Sequence, residues 1–82
     1  MALSEQEILD GIADILHEEI GVPLREVGLG KRLGEDLGLA GSDLLEIFAT
    51  VRERFAVELP EDEITTFATI GDVVAHLQGT VG

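Results

Sequence analysis

With no cysteine, the chemistry of this chain rests on carboxylates, hydroxyls and two histidines. His17 and His76 fall on separate helical segments. Neither belongs to the HExxH pattern that sets two imidazoles on one helix face for zinc, so both read as packing or surface residues. The acidic stretch 58–63 lacks the alternating ligands and central glycine of a calcium loop. It reads instead as negative charge gathered at a helix start. Glycines 28, 30, 34, 38 and 41 have no lysine at the spacing of a phosphate-cradling loop. Ser42 has no histidine near it in sequence to act as a base. No independent catalytic site is implied, and the chain does not read as an enzyme. Ser42 is nonetheless singular as the sole hydroxyl residue between Ser4 and Thr50. It stands where a helix is expected to begin. There it suits either a helix N-cap or a point of covalent attachment.

Four helices are expected around it, near 4–20, 42–55, 60–66 and 69–78. Ser4 and Glu7 have the spacing of a capping box, and Leu3 and Ile8 that of a hydrophobic staple. Ile8, Ile12, Ile15, Leu16 and Ile20 then recur at helical spacing until Gly21. Gly11 interrupts this helix at a cost of about 1 kcal/mol relative to alanine. A long connection follows to Gly41, punctuated by Val22, Leu24, Val27, Leu29, Leu33, Leu37 and Leu39, which should pin it across the helices. The second helix carries Leu44, Leu45, Ile47, Phe48, Val51 and Phe55 as its apolar stripe. Pro60 and the acids after it open a short third helix. Thr69 and Asp72 repeat the cap spacing for the fourth, which Gly79 should end. The expected core includes Ile8, Ile12, Ile15, Phe48, Val51, Phe55, Ile64, Val73 and Leu77. No segment alternates as a strand. The fold class is therefore all-α, a small four-helix bundle formed by residues 1–82 as one domain.

Seventeen acidic residues against five basic ones give a formal net charge of -12. Such a field repels nucleic acid and attracts basic patches on proteins. No apolar run reaches membrane-spanning length, and the N-terminus lacks the basic and apolar regions of a signal peptide. The expectation is a cytoplasmic monomer with no nucleic-acid or membrane partner.

Residues 35–48 read Glu-Asp-Leu-Gly-Leu-Ala-Gly-Ser-Asp-Leu-Leu-Glu-Ile-Phe. This resembles the Glu-Asp-Leu-Gly-x-Asp-Ser-Leu-Asp-x-x-Glu-Leu segment of the acyl carrier proteins. Glu35, Asp36, Leu37, Gly38, Asp43 and Glu46 match. The register runs on without a gap through Glu53-Arg54-Phe55-Ala56-Val57-Glu58-Leu59-Pro60, similar to the family's Glu-x-Phe-x-x-x-(Ile/Leu)-Pro. Thr69-Ile70-Gly71-Asp72-Val73-Val74 resembles its Thr-(Val/Ile)-Gly-Asp-(Val/Leu)-Val. The resemblance implies a long loop after the first helix. It also implies 4'-phosphopantetheine on a serine at the start of the second helix, carrying intermediates as thioesters for fatty-acid, polyketide or peptide-type biosynthesis. A flexible arm ending in a thiol supplies the nucleophile that the chain lacks. A helix N-terminus is a favourable place for its phosphodiester.

The chain departs from this pattern at the residue that matters. In ungapped register the family's Asp-Ser-Leu falls on Ala40-Gly41-Ser42. Gly41 takes the attachment position and offers no oxygen, which leaves Ser42 as the one candidate. A local bulge in the glycine-rich loop would bring Ser42 to the usual place. The alternative is a non-carrying interaction module that keeps the fold and the acidic face but lacks the attachment serine. Biosynthetic enzymes with basic docking patches are the implied partners, contacted through Asp43, Glu46 and Glu53, and a phosphopantetheinyl transferase is implied if Ser42 is loaded. Arg52 and Arg54 stand where the family often has acids and read as pairing partners on a solvated face.

Overall fold

The computed structural model describes residues 3–81, the last two by backbone alone. Four α-helices follow in order: α1 (Glu5–Ile20), α2 (Gly41–Phe55), α3 (Glu61–Ile64) and α4 (Ile70–Val81), with a 3₁₀ turn at Leu24–Glu26 in the long connection. Among the described residues there is no β-sheet, only an isolated antiparallel bridge between Arg32 and Thr69. No described helix is long and apolar enough to cross a membrane.

The first helix begins as its sequence dictates. Ser4 Oγ accepts the Glu7 N–H at 3.1 Å, and the Glu7 carboxylate accepts the Ser4 N–H at 3.1 Å. Both halves of the capping box are therefore made. Gly21 closes the helix at φ 86°, the left-handed conformation that glycine adopts without strain. α1 packs against both α2 and α4, and α2 packs against α3. Ile8, Ile12, Ile15, Phe48, Val51, Ile64, Val73 and Leu77 are all buried, as expected. Leu16, Leu59, Ile70 and Val74 are buried with them.

Three expectations are corrected. Phe55 is only half-buried, because its ring lies over Gly11 at the margin of the core. A Cβ at position 11 would fall 2.6 Å from the ring's Cζ, so the glycine makes room for an aromatic neighbour. The third helix is a single turn rather than a run to 66, because Thr65 and Thr66 turn their hydroxyls back onto the Asp62 and Glu63 carbonyls. The fourth runs past Gly79 to Val81, the glycine being carried within the helix instead of ending it.

The long connection is tied down by its backbone as well as by leucines. Leu33 N–H donates to the Ala68 carbonyl at 3.0 Å, Ile70 N–H to Lys31 at 3.0 Å, and Gly71 N–H to Leu29 at 2.8 Å. The loop thus lies against the start of α4. Leu33 and Leu39 point into the core beneath it. This brings residues 38–41 to the start of α2 with a fixed approach.

Candidate functional site

The start of α2 settles the register that the sequence left open. The N-cap is Ala40, at φ -84° and ψ 168°, and the helix opens at Gly41. Leu44 N–H donates to the Ala40 carbonyl at 3.0 Å, and the Asp43 carboxylate accepts the Ala40 N–H at 3.0 Å. No residue is looped out. Ser42 is therefore the second residue of the helix and not its N-cap, which removes the capping role as one of its two expected readings. The reason lies one residue on either side. Asp43 reaches back to Ala40 from the third helical position, and that bond fixes the helix start one residue before the serine.

The absence of a bulge places residues 41 and 42 on different faces. At about 100° per residue, Gly41 lines up with Leu45, Phe48 and Arg52 on the flank toward α3. A groove of about 310 Å³ confirms that orientation, lined by Gly41, Leu44, Leu45, Glu61, Ile64 and Thr65. Leu45 is 50% exposed along it. Ser42 instead lines up with Glu46, Ala49 and Glu53, on the crest turned away from the buried Ile47 and Val51. Its side chain is exposed, as are Glu46 and Glu53. Asp43 lies toward α1. The same flank carries Thr50, which donates its hydroxyl to Glu19 at 2.5 Å, and Arg54, which pairs with Glu18 at 3.5 Å. Of the three acids expected to meet partners, Glu46 and Glu53 thus share the crest with Ser42. Asp43 stands apart, engaged with the backbone.

The two histidines are elsewhere. His17 closes α1, its Nδ1 at 3.1 Å from the Val22 carbonyl oxygen. His76 lies on α4, its Nε2 at 3.3 Å from Glu63 and its ring beside Phe67. Neither approaches the start of α2 through a described contact.

Comparison with known proteins decides what this helix start belongs to. The sequence profile of the family described as "Phosphopantetheine attachment site" matches residues 10–77. The chain is 39% identical over 79 residues to the acyl carrier protein of Beutenbergia cavernae, covering 96% of each chain. It is 40% identical over 78 residues to that of Thermobifida fusca, covering 95% of this chain and 99% of the other. A meromycolate extension acyl carrier protein of Mycolicibacterium aurum is 35% identical over 78 residues, 95% of this chain and 80% of that one. The chain belongs to the acyl carrier protein family. Acyl carrier proteins are carriers and not enzymes, and their prosthetic group is 4'-phosphopantetheine.

The two positions differ in how they fit that group. Gly41 supplies no oxygen and cannot hold a phosphodiester. Yet a Cβ built there meets no atom within 4 Å, and its backbone is not in the positive-φ region. The carrier thus keeps the backbone and the space for a serine at 41 and lacks only the side chain. Ser42 does fit. Its exposed hydroxyl sits in the first turn, where the amides of residues 41–43 have no partner one turn back and the helix dipole favours an anion.

Proposed function

We propose that this chain carries acyl or related intermediates as thioesters on 4'-phosphopantetheine attached to Ser42. The observation that carries the reading is the exposed Ser42 hydroxyl in the first turn of α2, with no other hydroxyl residue between Ser4 and Thr50. The bound arm supplies a thiol, which the cysteine-free chain lacks. The chain's own residues do the rest. The first turn of α2 holds the phosphodiester by its dipole, while Glu46 and Glu53 on the same crest draw basic patches of biosynthetic enzymes toward it. The carrier acts as a monomer in a soluble compartment and meets a phosphopantetheinyl transferase once, to be loaded.

A serine one place along the helix leaves on a face turned by about 100°. A transferase that reads Asp-Ser-Leu meets Ala40 before the glycine and Asp43 after Ser42. Loading of the native sequence by a general-purpose transferase is therefore expected to be slow. The test is incubation with coenzyme A and transferase, followed by intact mass and peptide mapping. The reading expects a phosphopantetheine gain on Ser42 that Ser42→Ala abolishes. A gain that survives Ser42→Ala would overturn it.

A further inference from the structure

Of the three longer helices, α1 and α4 start on one plan and α2 departs from it. In α1, Ser4 and Glu7 each cap the other's backbone N–H. In α4, Thr69 Oγ1 accepts the Asp72 N–H at 3.2 Å, while the Asp72 carboxylate accepts the Ala68 and Thr69 N–H groups at 2.9 and 3.1 Å. In α2 the N-cap is Ala40, which has no side-chain acceptor, and the next residue is a glycine. Only the reverse bond remains, from Ala40 N–H to the Asp43 carboxylate at 3.0 Å.

We propose that Asp43 is a positioning residue that fixes where α2 begins, and through that start sets Ser42 on the crest beside Glu46 and Glu53. The inference rests on Ser42 as the attachment residue for its functional consequence, but the structural role stands independently of loading. Two neighbours make the task necessary. Ala40 contributes nothing to the cap, and Gly41 has the widest backbone freedom of any residue at the first helical position. Released from Asp43, the first turn is free to open and Ser42 leaves its place. Asp43 therefore acts on the helix start through its oxygen and not through its charge.

Backbone amide hydrogen exchange on the full chain separates these roles. Asp43→Ala should speed exchange at Ala40, which loses its acceptor, and at Leu44, whose bond to the Ala40 carbonyl closes the first turn. About fivefold is expected at each, the loss of one hydrogen bond's net contribution. Amides within α4 should stay within about twofold of wild type. Asp43→Asn keeps a carbonyl oxygen and removes the charge, so it should return Ala40 and Leu44 to within about twofold of wild type. Unchanged exchange at Ala40 and Leu44 in Asp43→Ala would overturn the proposal. So would Asp43→Asn behaving like Asp43→Ala, since charge rather than the bond would then be what matters. Should Asp43→Ala not fold, the comparison of Asp43→Asn with wild type decides alone.

Discussion

A missing Cβ at one position and a missing carboxylate at its neighbour shape the attachment segment. Ala40 leaves the Asp43 N–H without the side-chain acceptor that a capping box supplies. Ala40→Asp should therefore raise stability by about 1 kcal/mol in thermal or denaturant unfolding, a typical N-cap value. No gain would mean that the start of α2 is already satisfied by other means. Position 41 has space for a side chain, so Ala40→Asp with Gly41→Ser and Ser42→Leu should fold normally and be loaded efficiently, as intact mass would show. A folded but unloaded triple variant would confine the likeness to the fold. Asp72 makes stability depend on pH. The Ala68 N–H first, then that of Thr69, holds its carboxyl below the usual aspartate range. A group made more acidic by folding stabilises the folded chain above its unfolded value, near about 3.9, and loses that contribution as pH falls through its lowered folded value. Wild type should thus lose stability on acidification below about pH 4 more steeply than Asp72→Asn. Parallel melting curves for the two across that range would contradict this.

Between elements, one contact that sets the geometry depends on a glycine. The Phe55 ring of α2 lies where a side chain on position 11 of α1 would stand. Gly11→Ala brings about 1 kcal/mol of helix propensity, against about 1–3 kcal/mol for displacing a packed ring. The expected outcome is net destabilisation that vanishes when Phe55→Leu is added, a double-mutant cycle that equilibrium unfolding can measure. Additive effects would show that the ring moves aside freely. Phe48, buried and with its ring tilted against that of Phe67 at 5.8 Å between centroids, should cost about 3–5 kcal/mol as alanine. The helices themselves were legible because their caps and apolar spacing agree: Ser4 with Glu7, the isoleucine series, and Thr69 before Asp72. Phe55 looked like core because periodicity reports the face of a helix and not how far along it the neighbouring helix extends. Ser42 looked like an N-cap because serine favours that place. The deciding bond is formed by a residue three positions beyond an alanine, which propensity ranks as a poor cap. The extension past Gly79 was hidden for a related reason, since glycine weakens a helix without forbidding it.

Across the whole molecule, a net charge of -12 surrounds a crest that carries Ser42, Glu46 and Glu53. Glu46→Lys should slow association with a basic carrier-protein enzyme and flatten the salt dependence of the rate, measurable by stopped flow across ionic strengths. An unchanged rate and salt response would remove this face from docking. The likeness to acyl carrier proteins was readable from the ungapped segments at 35–48, 53–60 and 69–74, and the family match over residues 10–77 spans all three. The consequence of Gly41 was not readable in the same way, because a glycine-rich loop permits more than one register, and the bonds from Ala40 N–H to Asp43 and from Leu44 N–H to Ala40 select between them. Ser42 is the residue on which this carrier's arm is proposed to stand. Its most direct test is intact mass and fragment mapping of the protein purified from its own host. The account predicts a phosphopantetheine-bearing population with the group on Ser42; a chain that is wholly unmodified there while its host's other carriers are loaded would contradict it.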